Sequence, residues 1–393
     1  MPWEVLSGEQ RELRDLVRTL ARERIAPRAA EIDASHEFPW DVVELYRENG
    51  VFGLFHEEEF GGLGTGVLLS LVAIEEVAKV CATSALILAV QELGSLGLKL
   101  AGSQEQRERY LPRLASGEWL GAYALTESGS GSDSAAMRTT ARCEGDVYVL
   151  DGSKRFITNA GVAHLYTVFA KTDLSAGHAG ISAFLLEADT PGFAVARLEP
   201  KLGIAGSTTG ELVFDSCRVP VANLLGREGE GFPIAMRILD RSRPGVAAQA
   251  LGIAQGATDY ALEYAKTRET MGRPIAEHQL IQAKLADMET ECEAARGLLY
   301  RFGQMVDAGV DGPELTKASA MAKLKCGDVA MAVTTEAVQI LGGYGYIKEY
   351  PVERFMRDAK ITQIYEGTQE IQRLVIAREM LKESRAFLLA GVG

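Results

Sequence analysis

The hydrophobic period of this 393-residue sequence changes twice along the chain, and those changes constrain its fold more than any other feature. Residues 1–120 carry apolar side chains at helical spacing, whereas residues 121–230 contain short segments of period two between Gly, Pro and Asp breaks. The helical period returns over residues 231–393. The pattern predicts an α+β multidomain protein. Its parts would be an N-terminal all-α domain, a central β-barrel or β-sandwich domain and a C-terminal four-helix bundle.

Local signals predict where individual elements begin and end. Ser7, followed three residues later by Gln10, is a capping box for the first helix. Pro27 is expected to end the helical run that follows. In VYVLDGSKRFIT, the dipeptide Asp151-Gly152 predicts a hairpin turn between two strands.

Composition excludes several functional classes. The net charge of −13 argues against nucleic-acid binding, which needs a basic face. The five Cys form no CxxC and the five His no HExxH, so we expect no metal site. No apolar signal segment and no charge-free apolar run of about 18 residues occur, which predicts a cytoplasmic protein that does not bind membranes.

Two stretches contain residues that could bind a ligand or take part in catalysis. The loop AYALTESGSGSDS, residues 122–134, can present successive backbone N–H groups to a pyrophosphate, although a flexible linker has the same composition. It lacks both the GKS/T of a P-loop and a βαβ context. In ITQIYEGTQEIQ, residues 361–372, Glu366 lies among apolar residues before a helix. By itself Glu366 could equally be an acid favoured by the helix dipole.

Read together, six segments resemble the acyl-CoA dehydrogenase family over nearly the whole chain, in the order and at the spacing of that family. They are LTESGSGSD, FITN, DRSR, RETMGRPIAEHQ, QILGGYGY and IYEGTQEIQR. The resemblance is to the short-chain, medium-chain and short/branched-chain types. It implies a β domain between two helical domains, a homotetramer built as a dimer of dimers, and FAD bound across a dimer interface.

The resemblance also implies a reaction. Glu366 would remove the α proton of a saturated acyl-CoA, a hydride would pass from the β carbon to N5 of FAD, and the product would be a trans-2-enoyl-CoA. The electrons would then pass to an electron-transfer flavoprotein. Such a base must be desolvated so that its pKa rises, and the developing enolate-like charge needs pre-placed donors. Some relatives carry the base immediately before the Arg of their DxxR motif, but that position is Ser242 here.

The same resemblance assigns the other site residues. The expected cofactor contacts of the β domain are Tyr123, Leu125, Thr126, Gly131, Ser132, Phe156, Ile157 and Thr158. Residues expected to reach the FAD of a neighbouring subunit are Arg268, Gln279, Gln339, Ile340, Gly342 and Gly343. Thr368 and Gln369 are expected beside the FAD adenosine. The expected acyl-CoA contacts are Ser132, Asp240, Arg243, Tyr365 and Gly367.

Three positions depart from the common family pattern. Phe156 replaces a frequent Trp and lacks the indole N–H, while Met271 replaces an aromatic residue and would weaken stacking on FAD. Ser128 replaces a frequent Pro, which would make the flavin loop less rigid. None of these changes removes a catalytic group.

Three alternative functions are compatible with parts of this pattern. An acyl-CoA oxidase has the same fold and base but is usually longer, so the length favours a dehydrogenase. A nitroalkane oxidase uses Asp as its base and a flavin monooxygenase tends to lose the Glu, so Glu366 argues against both. A non-catalytic flavin or CoA-thioester binding protein would be expected to lack the base. Acyl-chain length, pathway and electron acceptor stay open.

Overall fold

The computed structural model describes residues 6–382 and confirms the order helical, β, helical. The N-terminal helices are α1 Gly8–Leu20, α2 Ala29–Ser35, α3 Trp40–Glu48, α4 Val67–Ala78, α5 Ala82–Ala101 and α6 Gln104–Ala115. The C-terminal helices are α7 Gly231–Thr267, α8 Gln279–Asp307, α9 Pro313–Leu341, α10 Val352–Ile361 and α11 Gln369–Lys382. The predicted capping box of α1 is confirmed, because Ser7 and Gln10 exchange both hydrogen bonds.

The central region forms one eight-stranded sheet with the order β6-β7-β3-β2-β4-β5-β8, and β1 pairs in parallel with β4. Its strands are β1 Gly121–Ala124, β2 Thr140–Glu144, β3 Val147–Thr158, β4 Leu165–Lys171, β5 Ile181–Glu187, β6 Phe193–Leu198, β7 Thr209–Pro220 and β8 Leu224–Leu225. A separate two-stranded pair, β9 Glu269–Thr270 and β10 Arg273–Pro274, lies in the loop after α7.

The hairpin predicted at Asp151-Gly152 is wrong. Strand β3 runs unbroken from Val147 to Thr158 and pairs along its length with β7. The register shifts between Leu150 and Gly152, which is the signature of a β-bulge. Gly152 has φ +142°, and a Cβ there would lie 2.7 Å from the Thr139 hydroxyl, so the glycine permits a close approach of β2 rather than a turn.

The stop predicted at Pro27 is also wrong. The helical chain continues past α1 through a π-helical turn, Ala21–Ile25, and a 3₁₀ turn, Ala26–Arg28, into α2. Pro27 lies in the first turn of the 3₁₀ segment. A proline is tolerated there because its missing N–H would have no helical partner at that position.

Helix α7 packs against α4 and α5 of the N-terminal domain through small residues. A Cβ at Gly252 would lie 2.4 Å from the Glu75 carbonyl oxygen, and one at Gly256 would lie 2.1 Å from that of Lys79. Only glycine allows the two helix backbones to approach so closely. Helix α5 is long and apolar enough to cross a membrane, but 78% of its apolar window is buried in this helical core, which accounts for its composition.

A buried ion-pair network joins α4 to α8. Arg296 donates from Nε to Glu75 at 3.0 Å, and the Tyr300 hydroxyl donates to the same carboxylate at 2.9 Å. A second guanidinium nitrogen donates to Gln255 of α7 at 2.7 Å. Glu75 is 1% exposed, so its negative charge depends on these partners.

We predict that Arg296→Met will destabilise the protein by about 3–5 kcal/mol, because the buried Glu75 carboxylate then keeps only the more distant Lys79 ammonium, at 3.9 Å, as a partner cation. Arg142→Met is the control, since the Arg142 side chain is 61% exposed and its ion pair with Asp151 lies at the surface. Denaturant unfolding followed by circular dichroism measures both variants. Equal midpoints for the two variants would contradict a structural role for the network.

Candidate active site

Glu366 lies in the turn between α10 and α11, in an unusual backbone conformation. Its φ is +53° and that of Gly367 is +89°, so two consecutive residues are left-handed. A Cβ at position 367 would also lie 2.7 Å from the Gln372 amide nitrogen, so glycine is required there. A left-handed glutamate is uncommon and costs free energy, and such residues concentrate at functional sites.

The surroundings of Glu366 raise the pKa of its carboxyl above the ordinary value. Burial is the largest cause, and it is opposed by the Ser242 hydroxyl and by the positive charges of Arg243 and Lys323. The Ser242 hydroxyl donates to Oε2 of Glu366 at 2.5 Å. The carboxylate is therefore desolvated but still supported in its charged form, as the sequence analysis requires of the base.

The peptide carbonyls beside Glu366 point into the protein. The Lys323 ammonium donates to the Gly367 carbonyl at 2.7 Å. The Gln372 amide donates to the carbonyls of Glu366, at 3.2 Å, and Gly367, at 2.9 Å. Within residues 6–382, no acceptor takes the backbone N–H of Glu366 or of Gly367. These two donors remain available to a ligand beside the carboxylate.

Helix α7 brings the predicted substrate residues to the same place. Asp240 and Arg243 form an ion pair at 2.5 Å, and Thr316 of α9 donates to the other Asp240 oxygen at 2.7 Å. Arg243 is 4% exposed, and its Nε has no partner in the described part of the chain. A cavity of about 350 Å³ adjoins Asp240 and is lined by Arg237, Arg241, Asp311 and Thr316.

Strand β1 places Tyr123 near the base. Its hydroxyl is buried and has no hydrogen-bond partner among the described residues. Burial, and then the negative charge of Glu366, raise the pKa of Tyr123. A buried hydroxyl without a partner is costly in a folded protein and fits a site that a polar ligand completes.

The end of β3 presents an aromatic ring to solvent. Phe156 is 58% exposed and has φ +59°, while the N–H of Arg155 donates to the Thr126 carbonyl at 2.8 Å. The strained backbone and the open ring face beside the Gly/Ser loop fit a flat ring system. The exposed loop residues Gly131 and Ser132 donate their N–H groups to no acceptor within residues 6–382, as a polar cofactor edge requires.

Of the remaining residues expected to contact the cofactor in the β domain, two are buried and two are partly exposed. Leu125, at 7% exposure, and Ile157, at 2%, pack into hydrophobic cores, so their side chains support the site from beneath. Thr126 and Thr158 are partly exposed and remain open to contact with a ligand.

Sequence reasoning missed a buried ion pair under the Gly/Ser loop. Lys154 is fully buried and donates to Glu127 at 2.8 Å and to the Leu125 carbonyl at 3.1 Å. Glu127 also accepts the N–H groups of Arg138, at 2.6 Å, and Thr139, at 3.0 Å. The pair fixes both ends of the loop. No signal in the single sequence marked it, because the bulge in β3 shifts which side chains point inward.

On the α11 side of the turn, the Gln369 side chain is engaged inside the protein. Gln369 was expected beside the FAD adenosine, but it is 4% exposed and its amide is fully used inside the protein. It donates to the Leu324 carbonyl at 2.8 Å and to Asp328 at 3.0 Å, and accepts from Lys323 at 3.1 Å. We assign Gln369 to holding the turn. Thr368 remains partly exposed, and the hydroxyl of Tyr365 donates to Gln249.

The residues expected to reach a neighbouring subunit lie together, away from Glu366. The Arg268 guanidinium lies over the Tyr344 ring at 5.3 Å, so the loop after α7 meets the segment after α9. Gln279, Gln339, Gly342 and Gly343 are exposed there, whereas Ile340 is buried. Positions 243 and 268 are 25 residues apart, mostly along α7, which separates them by about 37 Å.

Comparison with known proteins identifies the family. The chain matches "Acyl-CoA dehydrogenase, N-terminal domain" over residues 7–118, the "middle domain" over residues 122–217 and the "C-terminal domain" over residues 229–381. It is 49% identical over 380 residues to cyclohexane-1-carbonyl-CoA dehydrogenase of Geobacter metallireducens. It is 48% identical over 378 residues to a short-chain specific acyl-CoA dehydrogenase of Clostridium acetobutylicum. Each match covers 96% of this chain and 99% of the relative.

Solved structures of similar proteins have the same fold as this chain. Butyryl-CoA dehydrogenase from Megasphaera elsdenii superposes with a TM-score of 0.93 at 44% identity, covering 96% of this chain and 99% of that one. A chain from the structural study of the electron transferring flavoprotein of Acidaminococcus fermentans gives 0.94 at 45% identity, covering 97% and 100%. An acyl-CoA dehydrogenase complexed with FAD from Bacillus anthracis gives 0.91 at 34% identity, covering 98% and 69%.

Sequence match, fold and site geometry agree with one another. The chain belongs to the acyl-CoA dehydrogenase family of FAD-dependent oxidoreductases.

Proposed function

We propose that this enzyme removes one hydrogen from each of Cα and Cβ of a saturated acyl-CoA, with Glu366 as the base that takes the α proton. The observation that carries the proposal is the Glu366 carboxylate, which is desolvated, hydrogen-bonded to Ser242 and held in a left-handed turn. A base in this state can abstract a weakly acidic proton near neutral pH. FAD, when bound, supplies the acceptor for the hydride that leaves Cβ.

The protein groups around Glu366 have distinct roles in this proposal. The free N–H of Glu366 donates to the thioester carbonyl as negative charge develops on its oxygen. Tyr123 and Phe156 would lie against a bound flavin, and the N–H groups of Gly131 and Ser132 would donate to its polar edge. The product of this proton and hydride removal is a trans-2-enoyl-CoA.

The cavity beside Asp240 fits the CoA portion of the substrate. It measures about 350 Å³, and its lining carries the cations Arg237, Arg241 and Lys382 together with the carboxylates of Asp240, Asp311 and Glu379. In a chain of net charge −13, such local arginines are what an anionic ligand requires. The names of the two curated relatives and of the butyryl-CoA dehydrogenase favour a short, medium or branched acyl group.

We further propose an electron-transfer flavoprotein as the acceptor and a homotetramer, built as a dimer of dimers, as the assembly. The similarity to a chain studied with an electron transferring flavoprotein supports the first. For the second, Arg268 lies too far along α7 to reach a flavin beside its own Glu366. Apolar side chains also lie exposed near Arg268 or on the segment it meets, namely Met271 at 94%, Leu280 at 80% and Tyr346 at 85%.

Glu366→Gln should keep bound FAD and acyl-CoA affinity but lower kcat by about 10²–10⁴-fold, because the amide cannot accept the α proton. Glu370→Gln, an exposed substitution at the start of α11, is the control. Steady-state turnover with a butyryl-CoA substrate and a dye acceptor measures both. Substantial turnover by Glu366→Gln would remove Glu366 from the role of base.

Ser242→Ala should shift the acidic limb of the kcat/KM profile to higher pH. The Ser242 hydroxyl stabilises the charged carboxylate, so its loss raises the pKa of Glu366 further. Since only the unprotonated base is active, activity is lost as pH falls through that pKa, and the loss then begins at higher pH. The profile is measured between pH 5 and 9. A limb that stays in place or moves to lower pH would contradict this assignment.

Arg268→Ala should lower the FAD content of the purified protein or weaken its assembly, because it removes a cation from the proposed intersubunit surface. Arg218→Ala, an exposed substitution on the β domain whose side chain is 58% exposed, is the control. Flavin absorbance per chain and light-scattering mass report the two effects. Wild-type values for both in Arg268→Ala would argue against the intersubunit assignment.

A further inference from the structure

Lys323 is a lysine that the reaction as described does not use, although it is fully buried in the middle of α9. Burying an ammonium is costly unless partners compensate for the lost water. Its hydrogen bonds go to two neutral oxygens, the Gly367 carbonyl at 2.7 Å and the Gln369 side chain at 3.1 Å. Within residues 6–382 it forms no salt bridge. Among the described residues, the Lys323 ammonium therefore binds only to the segment around Gly367 that carries Glu366.

Helix α9 is pressed against that turn. A Cβ at Gly327, one helical turn after Lys323 on the same face, would lie 2.9 Å from the Gln369 amide nitrogen and 3.1 Å from the Thr362 carbonyl oxygen. The ammonium and the neutral Gln372 amide then share the Gly367 carbonyl. These two hydrogen bonds hold the Gly367 carbonyl toward the protein interior. They offset the cost of the left-handed backbone at Glu366.

Four charged groups act on the Lys323 ammonium. They are Glu366 of the turn, Arg243 of α7, Asp328 of α9 itself and Glu370 of α11. Burial lowers the pKa of Lys323 to about 7, and Glu366 is the first of the groups that oppose this. In return, Lys323 is one of the groups that hold down the pKa of Glu366. Lys323 and Glu366 therefore stabilise each other's charged forms.

We propose that Lys323 is a positioning residue for the base: its ammonium anchors the Gly367 carbonyl, so that Glu366 stays charged in the left-handed turn with its N–H available to the thioester. This inference rests on the proposed role of Glu366. Loss of the ammonium would have two effects. It would loosen the turn and slow proton removal, and it would raise the proton affinity of Glu366.

Proton removal can be measured apart from dehydrogenation with acetyl-CoA, which has α protons but no β carbon. Exchange of its methyl protons in D₂O, followed by NMR across a range of pH, reports the base alone. The variants are Lys323→Met, Lys323→Arg and, as the matched control on the same helix, Lys325→Met. The Lys325 ammonium pairs instead with Glu291 of α8.

Lys323→Met should slow exchange per bound FAD by about 10- to 100-fold, the rate equivalent of losing a hydrogen bond from a charged donor. It should also move the acidic limb to higher pH, whereas Lys323→Arg keeps the charge and leaves the limb in place. Lys325→Met should match the wild type. A Lys323→Met protein with wild-type exchange and an unmoved limb, even with lowered thermal stability, overturns the proposal.

If Lys323→Met does not fold, Gln372→Met decides the question, because Gln372 is the other donor to the Gly367 carbonyl. It removes no charge, so exchange should slow while the acidic limb stays in place. Wild-type exchange in Gln372→Met overturns the anchoring. Glu366→Gln separates the two claims: exchange that persists in that variant refutes the proposed base itself, whereas exchange lost there but unchanged in Lys323→Met refutes only the role of Lys323.

Discussion

The active-site region depends on desolvating one carboxylate without neutralising it. A carboxylate that leaves water becomes a stronger base, but it must then be stabilised by the protein or it takes up a proton. For Glu366 the support comes from a hydroxyl and a guanidinium on α7 and an ammonium on α9, while its backbone belongs to the turn between α10 and α11. The base can therefore exist only where these three parts of the C-terminal domain meet.

Helix α7 connects that requirement to the rest of the molecule. Its 37 residues span about 55 Å, with Ser242 and Arg243 toward one end and Arg268 just beyond the other. In between, Gly252 and Gly256 let the N-terminal helix α4 and the turn after it approach closely. One rigid element thus fixes the base, joins two domains and sets the distance to the surface proposed to serve a neighbouring subunit. A substitution that shifts α7 would affect all three.

The sequence predicted the order of the domains because the spacing of apolar residues differs between buried helices and buried strands. That spacing can be read from a short stretch of sequence. The sequence also predicted the capping box of α1, because Ser7 and Gln10 lie three residues apart in the sequence. It failed at Asp151-Gly152, where pairing with β7 overrides the turn preference, and at Pro27, which the helical path accommodates. Lys154 and Lys323 could not be found, since lysine is ordinarily exposed and only tertiary packing buries these two. The engagement of Gln369 inside the fold depends on Lys323 and was missed for the same reason.

The central claim is that a carboxylate base and FAD together oxidise a saturated acyl-CoA. The most direct measurement is an anaerobic titration of the FAD-loaded protein with butyryl-, octanoyl-, palmitoyl- and isobutyryl-CoA, followed by the visible absorbance of the flavin. Bleaching by one or more of the short, medium or branched thioesters is the result we predict, and it would also define the preferred acyl group. Full flavin absorbance after addition of every thioester, with FAD still bound, would contradict the proposed reaction.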